Sequence, residues 1–183
     1  KRGRIHFSAS GVCLRGLSRN SAMASVELQL LLLILIANGA PIIAAVVCGD
    51  WGARPVDGGR RWADGRRLLG DAKTWRGVAL APLATGLGAV LLDWPAMLGV
   101  VIGGGAMLGD LLSSFVKRRL GVPTSGMSLG LDQIPEAMVP LLAVADAFAL
   151  SWPDIVATVA GFIVLELALS RVLYRFGIRD RPY

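Results

Sequence analysis

Long apolar runs separated by short polar stretches make up most of this chain. They predict five helical segments, at residues 25–47, 77–92, 95–112, 137–152 and 154–174. A helix needs about 20 apolar residues to cross the hydrocarbon core of a bilayer. The first, third and fifth segments meet this length, whereas the second and fourth are shorter and leave re-entrant segments as an alternative. The pattern predicts an all-α, polytopic membrane protein with about five transmembrane helices.

Two very short connections join the second segment to the third and the fourth to the fifth. They read Asp93-Trp94-Pro95 and Ser151-Trp152-Pro153. Such connections leave room only for helical hairpins, and they put tryptophan where aromatic side chains favour the membrane interface.

Composition supports a membrane location, since 54% of the residues are hydrophobic, 17% are charged and the mean hydropathy is +0.60. The formal charge is +6. The basic residues form short stretches between apolar runs, which favours phosphates, lipid headgroups and topology signals over nucleic acid. Cys13 and Cys48 have no cysteine or histidine neighbours at metal-ligand spacing, so neither zinc nor a disulfide framework is indicated.

The basic residues also predict an orientation. They concentrate in the connections 48–76 and 113–136 and in the tail after residue 174. Positively charged loops face the cytoplasm. We therefore expect a multi-pass protein of the inner (plasma) membrane, with both long connections and the C-terminus in the cytoplasm and the N-terminus outside.

The first residues conflict with that orientation, because five basic residues precede the first span: Lys1, Arg2, Arg4, Arg15 and Arg19. We interpret residues 1–22 as a disordered or non-native N-terminal extension, with translation starting at Met23. Residues 23–183 then form a single transmembrane domain. A cleaved targeting peptide is the alternative, although no small-residue cleavage site follows a separate apolar region.

The connection between the first two spans is rich in groups that bind phosphates. Residues 54–77 contain seven cations, three aspartates and five glycines. Glycines let the backbone approach a ligand closely, cations neutralise a polyphosphate, and carboxylates hold the accompanying divalent metal. The alternative is a charged cytoplasmic loop that only fixes topology.

The connection between the third and fourth spans carries a second set of polar residues. Asp110 lies near the end of an apolar helix, and Ser113, Ser114 and Lys117 follow at spacings of three and four, on one helical face. An ionisable group at membrane depth costs about 2.5–3.5 kcal/mol and usually has a partner or a function. Further along, Asp132 and Glu136 are four residues apart, so both carboxylates can face one metal ion.

Two familiar phosphate motifs are excluded. Lys73-Thr74 is similar to the end of a Walker A motif, but Arg67 and Ala72 stand where that motif needs glycine. Asp64-Gly65 is similar to the start of the CDP-alcohol phosphotransferase signature, whose later residues do not follow at the right distance.

Most of the chain after Met23 resembles the CDP-archaeol synthase family, which is related to the bacterial phosphatidate cytidylyltransferases. The motifs that carry the resemblance are, in order, Ala37-Asn38-Gly39-Ala40-Pro41, Asp57-Gly58-Gly59, Asp64-Gly65-Arg66-Arg67, Gly70-Asp71-x-Lys73-Thr74-Trp75-Arg76-Gly77, Gly109-Asp110, Ser114-x-x-Lys117-Arg118-Arg119 and Asp132-Gln133. The resemblance implies a five-helix membrane fold, a cytoplasmic CTP site, Mg²⁺ dependence and transfer of CMP to a lipid phosphate. The chain departs from the related pattern at Pro135, where a second aspartate is expected, and Glu136 then replaces that acid.

The resemblance leads to an assignment of roles in which the lipid phosphate attacks the α-phosphorus of CTP. The catalytic candidates are Lys73, Asp110, Lys117 and Asp132. The candidate Mg²⁺ ligands are Asp132, Glu136 and Asp110. The substrate-binding candidates are Asn38, Asp57, Asp64, Asp71, Thr74, Arg76, Ser114, Arg118 and Arg119.

Two other functions are also compatible with the sequence. A non-enzymatic membrane protein whose loops bind anionic headgroups is one, and a small transporter is another, although no internal repeat is evident. Asp146 and Glu166 lie outside the motifs, and we expect them to line the bundle interior or the interface. The lipid is either archaeol-phosphate-like or phosphatidate-like, and a homo-oligomer is among the partners considered.

Overall fold

The computed structural model describes residues 9–122 and 130–177, with side chains from Ser25 onward. The helices in these residues are α1 (Ala9–Cys48), α2 (Trp75–Leu91), α3 (Ala96–Arg119), α4 (Gln133–Phe148) and α5 (Trp152–Arg175). The all-α prediction is confirmed. The predicted boundary after residue 22 stays a prediction: α1 continues across it, and residues 1–8 lie outside the described part of the chain.

Within the described residues, three helical stretches are long and apolar enough to cross a membrane. They are Ser25–Cys48, Ala96–Arg119 and Trp152–Arg175, with mean hydropathies of 2.6, 1.6 and 2.0. The other two helices, α2 and α4, have 17 and 16 residues. The division into three long and two short segments agrees with the apolar pattern, and the number of complete crossings stays a prediction.

Helix α3 packs against both short helices through glycines. A Cβ added at Gly103 would lie 2.7 Å from the Cα of Pro82 in α2, and one added at Gly105 would lie 2.9 Å from the Cα of Pro140 in α4. Small residues four apart let helix backbones approach closely in a membrane. Gly109, four residues beyond Gly105, meets the backbone of Pro135 in the same way. The Gly109 contact fixes the α4 N-terminus against the second half of α3.

The two short hinges lie together at one end of the bundle. The rings of Trp94 and Phe148 stack with centroids 4.7 Å apart, which joins the α2–α3 hinge to the end of α4. Ser151 and Asp154 form a capping box that starts α5. The predicted hairpins are therefore present, and the longer connections lie at the opposite end, beside the C-terminus of α3.

The apolar core lies between α1 and the other helices. Its buried side chains include Leu30, Leu33, Ile34, Ile102, Leu141, Val144, Ile155 and Phe162. This core holds the helices that position the polar residues described next.

Candidate active site

The central contact of the site joins the first long connection to α3. The Lys73 ammonium donates to both carboxylate oxygens of Asp110, at 2.6 and 2.7 Å. Lys73 directly precedes Thr74, the N-cap of α2, whose hydroxyl accepts the Gly77 N–H at 3.3 Å. Because the cap fixes where α2 begins, it also fixes where Lys73 meets α3.

A second ion pair lies two helical turns further along α3. The Lys117 ammonium lies 2.7 Å from a carboxylate oxygen of Asp132. Asp132 is the N-cap residue of α4, and Lys117 is seven residues after Asp110, so the two α3 side chains share one face. The four predicted catalytic residues thus form two ion pairs along one side of the bundle.

A buried carboxyl group lies beside the first ion pair. Glu136, in the first turn of α4, is 7% exposed and hydrogen-bonds to the Asp110 carboxyl. Glu166 on α5 interacts electrostatically with Glu136. Burial by itself lowers the pKa of Lys73, but Asp110, Glu136 and Asp132 together raise that pKa above its usual value. Lys73 therefore remains a cation among acids.

Asp57 organises the interior of the first long connection. Its buried carboxylate accepts hydrogen bonds from the Arg67 guanidinium, at 2.8 and 3.3 Å, and from the backbone N–H groups of Gly59, Leu69 and Gly70. The bond to Arg67 is the main cause of an Asp57 pKa well below its usual range, and the backbone N–H groups add to it. Asp57 thus holds two distant parts of this connection together.

Arginines fasten the connection to the end of α3. Arg119 lies 2.7 Å from Asp64 and also donates to the Arg67 carbonyl. In return Arg66 donates to the Arg119 carbonyl at 2.6 Å and to the Arg118 carbonyl at 3.4 Å. Cations are favoured at a helix C-terminus, where carbonyl groups lack intrahelical partners. These contacts bring the two sequence-predicted polar regions together.

Two of the predicted substrate-binding residues, Arg76 and Asp71, contact residues of the first long connection. Arg76 donates to the carbonyls of Gly49 and Trp51, at 2.9 and 2.6 Å, and so ties α2 to the end of α1. The Asp71 carboxylate lies 2.8 Å from Arg67 with its side chain 71% exposed.

Two further predicted residues lie on helices. Asn38 lies in α1 and donates to the Ile34 carbonyl at 3.0 Å. Ser114 is buried in α3, next to Ser113, whose hydroxyl donates to the Asp110 carbonyl at 2.9 Å.

Two of the three predicted Mg²⁺ ligands lie next to each other. Asp110 and Glu136 are within hydrogen-bonding distance of each other, whereas Asp132 pairs with Lys117. Among the described residues, no three His, Cys, Asp or Glu side chains are grouped closely enough to hold a metal ion. Protein Mg²⁺ sites commonly use one or two carboxylates and complete the shell with water and substrate phosphates. The Asp110 and Glu136 pair fits that type of site.

The sequence assigns no site role to Arg67, and it places Glu166 only in the bundle interior or at the interface. Arg67 and Asp71 are four residues apart, a spacing that signals an ion pair in a helix, but this segment is not helical. The electrostatic interaction of Glu166 with Glu136 depends on how α5 packs, and no local pattern in the sequence indicates it.

The sequence and the fold are both similar to those of known proteins. A family model described as CarS-like CDP-archaeol synthase matches residues 23–183. The CDP-archaeol synthase of Thermococcus kodakarensis is 33% identical over 80% of this chain and 89% of its own length. That of Aeropyrum pernix is 38% identical over 84% of this chain and 89% of its own length. The fold is similar to a solved intramembrane enzyme for archaeal membrane lipid biosynthesis, with a TM-score of 0.62 and 33% identity over 75% of this chain and 90% of that one.

Proposed function

The chain belongs to the CDP-archaeol synthase family, and we propose that it transfers CMP from CTP to a lipid phosphate at the site around Lys73 and Asp110. The products are a CDP-lipid and pyrophosphate. The site assignment rests on two ion pairs on one side of the bundle. They join Lys73 to Asp110 and Lys117 to Asp132. Paired cations and carboxylates are what a metal-bound triphosphate needs.

The reaction requires positioning more than a protein nucleophile. An oxygen of the lipid phosphate forms a bond to the α-phosphorus of CTP while the bond from that phosphorus to the pyrophosphate oxygen breaks. The attacking phosphate is already anionic at neutral pH, so no covalent protein intermediate is needed. Alignment and charge neutralisation lower the barrier.

The cationic side chains have separate tasks in this proposal. Lys73 and Lys117 bind phosphate oxygens once a substrate draws them from Asp110 and Asp132. Arg118 and Arg119, at the end of α3, add positive charge near the triphosphate, while Asn38 faces the lipid. Thr74, Ser114 and Arg76 complete the predicted substrate contacts, and the loop aspartates Asp57, Asp64 and Asp71 hold the loop in shape for CTP.

Mg²⁺ fits the acidic residues at the site. Asp110 and Glu136 would hold it, with Asp132 as a further ligand, and these carboxylates are the oxygen donors that Mg²⁺ prefers. When bound, it would neutralise triphosphate charge and stabilise the leaving pyrophosphate. Glu136 then supplies the acid that the related pattern places one residue earlier, at Pro135.

We place the protein in the cytoplasmic (inner) membrane with the site facing the cytoplasm. The two long connections and the C-terminal tail carry most of the basic residues, and positively charged segments face the cytoplasm. The headgroup-binding and transporter readings are not favoured, since relatives matched along most of the chain are synthases.

Incubation of the purified protein with CTP labelled at the α-phosphate, Mg²⁺ and a panel of lipid phosphates tests the proposal. We expect a labelled liponucleotide that requires both Mg²⁺ and CTP. Asp132→Asn should lose the activity, while Asp146→Asn, an exposed acid on the same helix, should retain it. No labelled product with any ether-linked or ester-linked lipid phosphate would refute the proposed function, and full activity of Asp132→Asn would refute the role of Asp132.

A further inference from the structure

An open pocket lies between the first long connection and the C-terminal end of α3. It has a volume of about 530 Å³, within the usual range for small-ligand sites, about 300–1,000 Å³. The helices α2 and α3 contribute the rings of Trp75 and Phe115 to its lining, and the connection contributes mainly apolar residues such as Val56 and Leu68. Arg60 lines it as well. The pocket therefore combines a large apolar surface with a cation.

Phe115 places this pocket on the lipid-facing side of the bundle. Leu112 and Leu108 lie three and seven residues before Phe115, on the same face of α3, and their side chains are 49% and 52% exposed. Because α3 is long and apolar enough to cross a membrane, an exposed apolar face on it contacts hydrocarbon chains. Leu108, Leu112 and Phe115 thus form a stripe that leads from the membrane interior to the pocket.

Aromatic contacts hold the first long connection at this end of the stripe. Phe115 lies one turn before the end of α3, and the ring of Trp62 meets it edge-on with centroids 5.7 Å apart. The Arg119 guanidinium lies over the same ring, 5.1 Å from its centroid. Trp62 is still 53% exposed, and exposed tryptophan side chains favour the membrane interface. The pocket therefore lies where lipid headgroups meet hydrocarbon chains.

Arg60 provides the charge of the pocket. Within residues 9–122 and 130–177, its guanidinium has no ion-pair or hydrogen-bond partner, whereas the neighbouring Arg61 donates to the Gly65 carbonyl at 2.8 Å. Asp57 also lines the pocket, but its carboxylate is bound to Arg67. An uncompensated arginine beside an apolar pocket at the interface attracts an anionic headgroup that carries a hydrocarbon chain.

From this arrangement we propose that the pocket binds an anionic phospholipid of the surrounding bilayer, at a site separate from the two ion pairs of the proposed active site. Its phosphodiester lies on Arg60, and the first carbons of one chain fill the space between Trp75 and Phe115 and continue along Leu112. The headgroup then lies at the cytoplasmic surface and the chain in the membrane, in agreement with the predicted orientation of the helices. A phosphodiester is not the lipid phosphate that accepts CMP, so this lipid is not consumed.

The bound lipid stabilises the part of the connection that holds Lys73. The backbone N–H of Val56, in the pocket wall, donates to the Lys73 carbonyl at 2.8 Å. Trp75, on the other wall, is the first residue of α2 and lies two residues after Lys73. A ligand that binds only the folded form stabilises it by mass action. Anionic lipid should therefore raise the stability of the protein.

Photolabelling in lipid nanodiscs tests the site. The probe is a phosphatidylglycerol with a diazirine near the start of one acyl chain, diluted into phosphatidylcholine around the full-length protein. We expect label on Phe115 and on residues 55–69, and at least about tenfold less label there in Arg60→Gln, which loses a charged hydrogen bond. Leu68→Trp, which fills the pocket from its wall, should lose the label as well. The matched control Arg61→Gln removes the same charge from a residue outside the lining and should label like wild type.

Competition identifies the ligand. Unlabelled phosphatidylglycerol should displace the probe, whereas phosphatidylcholine with the same chains and CTP with Mg²⁺ should not. Displacement by CTP would make the pocket a nucleotide site, and displacement by a lipid phosphate at much lower concentration than by phosphatidylglycerol would make it part of the substrate site. Either result would overturn the proposal, as would equal loss of label in Arg60→Gln and Arg61→Gln, which would reduce the effect to general surface charge.

Thermal melting checks that the variants fold and that the lipid acts on the protein. In nanodiscs of phosphatidylcholine alone, Arg60→Gln and Arg61→Gln should melt at the wild-type temperature, because exposed substitutions outside specific contacts change stability little. Adding phosphatidylglycerol should raise the melting temperature of wild type and Arg61→Gln and leave that of Arg60→Gln unchanged. No effect of phosphatidylglycerol on wild type, or an equal effect on all three proteins, would refute the site.

Discussion

The Lys73 ammonium donates to both carboxylate oxygens of Asp110, at 2.6 and 2.7 Å, across 37 residues of sequence. This pair joins the first long connection to the central helix. The pair is partly buried, so removing one partner leaves an uncompensated charge that destabilises the fold. The pair is therefore both a structural contact and the centre of the proposed catalytic site, and mutations can separate these two roles.

Asp110→Asn should lower both the stability and the activity. We expect a lower melting temperature in detergent, because Lys73 keeps its charge but loses the carboxylate. CMP transfer should fall at least about 100-fold, since a phosphate-binding lysine out of position loses the alignment that catalysis needs. Thermal melting and labelled-CTP assays on the same preparation measure the two effects.

The double variant Lys73→Met with Asp110→Asn serves as the control. Replacing both partners of an ion pair is often nearly neutral for stability, so the melting temperature should recover most of the loss. Activity should not recover. If the double variant regained CMP transfer, neither residue would have a catalytic role.

The pH dependence of stability follows from the raised pKa of Lys73. A group whose folded pKa lies above its unfolded value, 10.5 here, stabilises the fold fully below that value. The contribution is lost only as the pH rises through the higher folded pKa. The melting-temperature difference between wild type and the double variant should be constant from pH 7 to about pH 10 and should shrink at higher pH. A difference that already shrinks between pH 7 and 9 would contradict the assignment.

Asp57→Asn should loosen the first long connection. The neutral amide loses the charged bond to Arg67, and hydrogen bonds to charged groups contribute about 1.5–3 kcal/mol. Because this connection is rich in arginine, we expect trypsin to cleave it roughly 10- to 100-fold faster. Asp50→Asn, at an exposed site of the same connection, should be cleaved at the wild-type rate. Equal rates for the two variants would show that Asp57 does not hold this connection.

The sequence predicts where the helices lie, but it does not predict which side chains of different segments contact each other. Apolar run lengths predicted which helices are long, and the hinge residues predicted the hairpins. Asp110 stood out because an acid in an apolar helix needs a partner, but nothing local identified Lys73 as that partner. Similarly, the spacing of Asp132 and Glu136 predicted a common face. Whether each contacts Lys117 or Asp110 depends on how α4 meets α3.

The close approach of the α4 N-terminus to α3 depends on Gly109. A Cβ at Gly109 would overlap the Pro135 carbonyl and lie 2.8 Å from the Glu136 nitrogen. Gly109→Ala should therefore push the α4 N-terminus away from α3 and move Asp132 and Glu136 with it. A displacement of about 1 Å can cost about 100-fold in rate, so we expect at least that loss of CMP transfer.

Gly104→Ala is the matched control for this substitution. It makes the same chemical change five residues earlier in α3, where an added Cβ meets nothing within 4 Å. Both variants gain helix propensity from alanine, about 1 kcal/mol, so a general effect of the substitution on α3 would appear in both. Activity should be lost only in Gly109→Ala, together with a lower affinity for CTP in the presence of Mg²⁺, measured by thermal shift. Wild-type activity in Gly109→Ala would mean that α4 tolerates the displacement, and that the close approach of α3 and α4 does not position the catalytic carboxylates.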